Sequence, residues 1–311
     1  TITYREALRQ AMHLALEENP QAIITGQGVT DPTRIFGTTA NLVETFGQDR
    51  VIDSAIAEEG ITGIAIGAAL NGLYPIQTHI RVDFMALAMN QIINLAAKYK
   101  YMYGGSFKVP MLIRAVVGRS WGQGPQHSKT LHSWFANLPG ISVVYPSSPF
   151  EAKGLLLSSI FSNFPTIFFE SRSLHDSEES VPNKPYFLDP TKAFVRKKGK
   201  DLTIVGFGPS IVNALEVSYS LEKSIKISCE IIDLRSLNPI DEKTILSSVS
   251  KTKNLCVIEH GWPNSSISSD IISKVSEKIN LKRKPIKICW PNSYVPTSHF
   301  LEKKFYFKNN D

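Results

Sequence analysis

Short apolar runs rich in branched residues alternate with helix-length segments along nearly all of the 311 residues, and that rhythm restricts the fold more than any other property of the chain. Residues 3–18 have helical periodicity behind a Thr3-x-x-Glu6 capping-box pattern. Residues 22–25, 51–53, 74–82, 110–116, 141–146 and 166–170 read as strands, and 84–101 and 150–161 as helices. Strands separated by helices imply a mostly parallel sheet covered on both faces. The rhythm breaks into Asp, Ser, Glu, Pro, Asn and Lys around 171–200 and then resumes, with strands near 202–208, 229–234 and 255–259 and helices near 211–221, 241–249 and 266–279. The expected architecture is α/β, with two doubly wound domains at 1–180 and 190–311.

Composition narrows the class. A chain 42% hydrophobic can bury a sizeable core, and no apolar run reaches the ~18 residues of a membrane span. No leader pattern opens the sequence, so a cytoplasmic location is the expectation. Cys229, Cys256 and Cys289 are far apart in apolar stretches and read as small buried hydrophobes, with no metal site expected. The net charge of +6 gathers around Arg196-Lys197-Lys198 and Lys282-Arg283-Lys284 without interleaved aromatics, which fits solvated charge better than a nucleic-acid surface.

One segment is unusual. Behind the strand at 51–53 stand Glu58 and Glu59, then a helix carrying Gly60, Gly63 and Gly67 among Ala and Ile. Each interior glycine costs about 1 kcal/mol of helix propensity, so the small face suits close approach by another helix or subunit. The acids either complement the helix macrodipole or do chemistry, and the segment alone leaves both open. No Gly-x-Gly-x-x-Gly follows the first strand, and there is no Walker loop, Gly-x-Ser-x-Gly elbow or His-Glu-x-x-His. His127 stands out because it lies in a glycine-rich loop, Gly118 to Ser128, after a strand, where parallel sheets present catalytic groups.

The order of these features resembles the β subunit of two-chain thiamin-diphosphate-dependent 2-oxo acid dehydrogenases, the pyruvate, branched-chain and acetoin decarboxylating components within the transketolase-like superfamily. The resemblance is carried by Ile56-Ala57-Glu58 with Gly60, Gly63 and Gly67, by Asn90-Gln91 with Asn94 and Lys98, by Tyr103-Gly104-Gly105 and by Gln126-His127-Ser128. It continues through Val143-Val144 with Pro146, Asp233-Leu234-Arg235 with Pro239, and Glu259 with Gly261-Trp262-Pro263. It implies a pyrimidine-binding domain followed by a transketolase C-terminal-like domain.

Aligned through Ile56 and Gly60, the family's cofactor glutamate falls on Glu58 and leaves Glu59 where relatives are usually apolar. The resemblance gives Glu58 the N1′ atom of the aminopyrimidine, Phe84 the stacking on that ring, Ile56 apolar packing beside it, and His127 the substrate side of the thiazolium. The Gly-Asp-Gly motif that related folds use for the Mg²⁺-diphosphate is absent. The resemblance therefore implies an α subunit that supplies the diphosphate and Mg²⁺ half of each site, in an α2β2 assembly, with a lipoyl acyltransferase core as a further partner and a small 2-oxo acid as substrate.

Departures cluster near the expected chemistry. Gln27 and Gly28 replace two acids, and His79, Arg81 and Arg119 add groups for substrate recognition. Ser162 and Phe164 stand where some relatives hold K⁺, which puts a K⁺ site in doubt. The leading expectation is decarboxylation with acyl transfer to lipoamide. A second is transfer of the carbanion to an aldehyde, ketone or sugar acceptor, and a third is a non-catalytic scaffold, against which Glu58, Phe84 and His127 all argue.

Overall fold

The computed structural model describes residues 1–118 and 122–306. Its strands are β1 (Ile2–Thr3), β2 (Ala22–Gly26), β3 (Val51–Asp53), β4 (Tyr74–His79), β5 (Leu112–Val117), β6 (Ser142–Val144), β7 (Thr166–Ser171), β8 (Glu178–Glu179), β9 (Phe194–Lys197), β10 (Leu202–Gly206), β11 (Cys229–Asp233), β12 (Ser236–Asn238), β13 (Leu255–Ile258) and β14 (Ile286–Ile288). Twelve of them form two large sheets, ordered β12-β6-β7-β5-β4-β2-β3 and β14-β13-β10-β11-β9, while β1 and β8 pair as a small antiparallel ribbon. Each large sheet is parallel except at one edge, where β12 runs against β6 and β9 against β11. The two α/β domains anticipated from the alternation are present.

Sequence explains the layering. Every residue of β4, β5 and β7 is buried, as required of parallel strands covered on both faces. Helix Tyr4–Glu18, capped by Thr3 Oγ1 accepting from the Glu6 amide at 3.3 Å, lays Leu8, Met12 and Leu16 on one face of the first sheet beside helix Pro149–Ile160. Each such side chain contributes about 1.5–3 kcal/mol by leaving water. On the other face, Ile66, Met85, Ile113 and Phe169 join a core that continues without interruption into Val205, Ile232 and Val257 of the second domain.

Buried polar contacts tie the domains. His132 Nε2 lies 2.7 Å from Glu259 Oε1, and Arg235 donates to Glu151 Oε1 through Nε at 2.9 Å and Nη2 at 2.7 Å. Arg196 also pairs with Glu151, at 3.0 Å, and with Asp233, at 3.2 Å. This corrects the reading of Arg196 as solvated charge: its side chain is 14% exposed and neutralises two buried carboxylates. Burial and the neighbouring Asp233 push the Glu151 carboxyl up to about 7, against the pull of the two arginines.

The helix expected over 84–101 is not a single regular one. It opens at Val82–Met85, tightens over Ala86–Ala88, widens into a π segment at Gln91–Ala96 and closes at Tyr99–Met102. The wide turn, with the Ala97 amide donating to Ile92 O at 3.0 Å, brings the consecutive Ala96 and Ala97 both into the core. Hydrophobic periodicity cannot register one inserted residue. Cys229 and Cys256 are buried as expected, whereas Cys289 is half-buried; all three are free. No helix among the described residues is long and apolar enough to cross a membrane.

Candidate active site

The carboxyl ends of β2, β3 and β4 open onto one cleft, the edge where parallel sheets bind ligands. Gly26 and Gln27 leave β2, Ser54, Ala55, Ala57 and Glu58 follow β3, and Gln77 to Arg81 with Phe84 come from β4 and the helix behind it. Asp53 organises the first two turns, accepting from the amides of Gly28 at 2.9 Å and Ser54 at 2.8 Å and from Thr30 Oγ1 at 2.8 Å. Burial alone would raise its pKa, but these hydrogen bonds hold the carboxyl below the usual range.

Glu58 and Glu59 separate cleanly. Glu58 is half-buried, begins helix Glu58–Leu70 and lines the cleft. Glu59 is exposed and accepts from Gln91 Nε2 at 3.0 Å, away from it. The start of the helix is fixed by a relay in which Gln77 Nε2 donates to Thr62 Oγ1 at 2.8 Å and Thr62 donates to Glu58 O at 2.7 Å. Phe84 is half-buried and lines the same cleft, and the His127 ring meets it edge to face at 5.2 Å. Glu58, Phe84, His79 and Arg81 thus line one cleft, with His127 behind Phe84. Ile56 does not join them, since its side chain is 75% exposed and points out of the isolated chain. Arg119 lies outside the described residues.

Three buried polar atoms in the cleft have no partner among the described residues: Gln77 Oε1, His79 Nε2 and Arg81 Nε. An orphaned buried polar group costs about 1–3 kcal/mol, so their concentration at one place marks a ligand site. Arg81 does not form the ion pair with Asp83 that its position suggests; Asp83 instead receives the Lys129 amide at 3.1 Å. The Arg81 guanidinium is 4.9 Å from the centroid of Phe36, and Arg172 is 4.7 Å from the same ring. Burial depresses the Arg81 pKa, and burial with the nearby charges of Arg5 and Arg81 depresses that of Arg172.

His79 is neutral at pH 7 because burial pushes its pKa down to about 4. Between there and the ~6.5 of an unfolded histidine the unfolded state binds more protons, so its contribution erodes stability as pH falls through that window. We expect urea unfolding to show up to ~3 kcal/mol lost between pH 7 and pH 4 from this site, and His79→Gln to flatten that part of the profile. An unchanged slope in the variant would mean that His79 is not the group responsible.

Comparison with known proteins decides the family. The transketolase pyrimidine-binding domain model matches residues 1–177 and the transketolase C-terminal domain model matches 191–311. The β subunit of acetoin:2,6-dichlorophenolindophenol oxidoreductase from Bacillus subtilis is 35% identical over 98% of this chain and 93% of its own length. The β subunit of the pyruvate dehydrogenase E1 component of Saccharomyces cerevisiae, a mitochondrial protein, is 35% identical over 89% of this chain and 76% of its own. The chain belongs to the β subunits of two-chain 2-oxo acid dehydrogenases. A solved structure described as a split-gene transketolase in an inactive beta4 tetramer superposes with TM-score 0.81 over 99% of this β subunit and 95% of that chain; at 22% identity it bears on the fold alone.

Sequence reasoning missed two parts of this β subunit's site. Gln77 carried a signal, as the first of three polar residues closing a fully buried strand, and was not read as a site residue. Phe36 and Arg172 carried none, since they lie 45 residues before and 91 after Arg81 in a chain read locally.

Proposed function

We propose that this chain is the pyrimidine-side half of a thiamin-diphosphate-dependent enzyme that decarboxylates a 2-oxo acid and passes the acyl group to lipoamide, working in the cytoplasm with an α subunit. One observation carries the reading: Glu58 and Phe84 line the same cleft, together with an orphaned acceptor, Gln77 Oε1. An acid, an aromatic face and an unpaired acceptor are what an aminopyrimidine requires, so the residues present fit that half of the cofactor. When bound, thiamin diphosphate supplies an acidic C2 carbon that adds to the 2-oxo group. Glu58 holds the proton shared with N1′, Phe84 presents its ring to the pyrimidine, and His127 holds or moves protons on the substrate side. The assignment of 1–180 to the pyrimidine-binding domain and 190–311 to the C-terminal domain belongs to the same reading.

The partner has support in this chain. Ile64 and Leu87 beside the cleft are 69% and 61% exposed, and a Cβ built at Gly67 meets nothing within 4 Å. Nothing among the described residues requires that helix face to be small, so a subunit packed against it accounts for the glycines. The diphosphate and Mg²⁺ half of the site belongs on that subunit, in an α2β2 tetramer; neither a K⁺ site nor an acyltransferase core is needed for it. Calorimetry with the purified chain should give weak or undetectable binding of thiamin diphosphate with Mg²⁺, and tight binding once α is added. Tight Mg²⁺-dependent binding by this chain alone would overturn the divided site.

Transfer to an anionic acceptor is the second reading, favoured by Arg81 and Arg172 gathered on Phe36 with Arg81 Nε and His79 Nε2 unpaired. In the assembled enzyme, Arg81→Met is expected to raise KM for a carboxylated or phosphorylated acceptor about 10- to 100-fold, the worth of a charged hydrogen bond. An unchanged KM across 2-oxo acids and phosphorylated acceptors would remove this reading.

A further inference from the structure

The end of the chain reaches back from the second domain to the loop that carries His127. Behind β14, the Trp290 amide donates to Gly261 O at 2.8 Å and Trp262 Nε1 to Ser293 O at 2.8 Å. The Trp290 ring packs on Phe305 at 5.6 Å and Tyr306 at 5.5 Å, which fixes helix His299–Phe305 to that domain. From this anchored helix Glu302, 2% exposed, turns into the first domain, where its Oε2 accepts the Gly122 amide at 3.2 Å. Thr297 fills the space beside the same loop. A Cβ at Gly122 would lie 2.8 Å from Thr297 O, and one at Gly124 would lie 2.4 Å from Thr297 Oγ1. Both glycines have positive φ, +67° and +64°, so the loop is shaped to receive this segment. The short helix Gly124–His127 follows directly, and it places the His127 ring against Phe84.

We infer that residues 297–302 form a latch that sets the position of His127, with Glu302 as its positioning residue. The inference rests on the proposed role of His127. A four-residue helix makes too few internal hydrogen bonds to hold its own orientation, and Gly122 before it with Gly124 at its first position raise the entropy that ordering must overcome. The outside contacts therefore decide where the imidazole sits. Glu302 supplies the acceptor oxygen for the Gly122 amide, and Thr297 supplies the shape. The second domain in this way determines the geometry of a group that belongs to the first.

The test uses the full chain and then the assembled enzyme. Amide hydrogen exchange in peptides covering 122–128 should be at least about tenfold faster in Glu302→Ala than in the parent chain, as expected for a released local contact. Glu302→Gln, which keeps an acceptor oxygen, should stay near the parent value. Glu302→Asp, too short to reach but still charged, should behave like the alanine variant and serves if that variant fails to fold. A Lys303→Ala, Lys304→Ala double variant on the exposed side of the same helix should change nothing. With α bound, Glu302→Ala should lower kcat up to about 100-fold, the size of effect that a 1 Å misplacement produces, while KM and exchange of the cofactor's C2 proton, which depends on Glu58, are retained. Unchanged exchange at 122–128, or faster exchange with unaltered kcat, would overturn the latch. Full activity in His127→Ala would instead remove the functional reading beneath it, leaving the exchange data to report whether the contact exists.

Discussion

Glu58→Gln, in the enzyme assembled with its α subunit, is expected to lower kcat by more than about 10⁴-fold with little effect on folding or assembly. Loss of a single general acid or base typically costs ~10²- to 10⁴-fold, and here the same carboxylate governs whether the cofactor's C2 proton is released at all. Glutamine matches the shape and keeps an acceptor, so the change removes only the proton partner. Glu58 lines the cleft at the start of its helix while its backbone is held by Thr62, which makes a structural cause of inactivity improbable. Glu59→Gln loses at most the contact with Gln91 and should remain within a few-fold of the parent, as exposed side chains do. Steady-state kinetics with the two variants in parallel gives the answer. Comparable losses in both, or a larger loss at Glu59, would sink the assignment of the pyrimidine acid.

Arg114→Met is expected to destabilise the chain by about 3–5 kcal/mol, the cost of stranding a buried charge. Arg114 on β5 and Glu170 on the adjacent β7 lie two residues apart in register, Arg114 being paired with Phe168 and Glu170 with Val116, and neither has exposed side-chain surface. Arg114 donates to Glu170 Oε2 through Nε at 3.1 Å and Nη2 at 2.7 Å, and to Thr38 Oγ1 at 3.0 Å. Burial on its own would raise the Glu170 pKa, yet Arg114 and His175 outweigh it and bring the carboxyl to about 2. The folded pKa lies below the unfolded ~4.3, so the stabilisation is complete above that value and is lost as pH falls toward 2. Urea unfolding at pH 7 should show the loss in Arg114→Met, and the double variant with Glu170→Leu should recover most of it, because replacing both charges leaves nothing uncompensated. A single variant within 1 kcal/mol of the parent would mean that water reaches this pair.

How much of this was legible beforehand follows from the range of each signal. The parallel layers were readable because strand-length runs rich in branched and aromatic residues alternate with helix-length segments, even though the fully buried β4, β5 and β7 also carry Gln77, His79, Arg114 and Glu170. Thr3 marked its helix because a capping hydroxyl acts within three residues; Ser148, which caps helix Pro149–Ile160 in the same way, was not read. Glu58 and Phe84 were placed through the resemblance, and the structure brings them to one cleft that no local pattern defines. The π segment at Gln91–Ala96 escaped because one extra residue leaves hydrophobic spacing nearly intact. Arg196 escaped for a different reason: a run of basic residues reads as solvent-facing, and only the fold supplies Glu151 and Asp233. Glu302 and Thr297, far along the chain from Gly122, were beyond any reading by neighbourhood.

The strand Ser236–Asn238 has a bearing on how this molecule can be divided. It lies in sequence between two strands' worth of second-domain chain, yet it completes the first domain's sheet by pairing with β6, and Asn238 Nδ2 reaches Leu138 O and Ile141 O at 2.8 and 3.0 Å. Severing the polypeptide in the segment between the domains would not release two self-sufficient pieces. The amino-terminal fragment would carry β6 with its hydrogen-bonding groups bare, an invitation to edge-to-edge aggregation. Anyone seeking the pyrimidine side as a minimal unit for screening or recombination would have to graft a surrogate strand onto β6, or blunt that edge with charge, before the fragment behaved as a monomer.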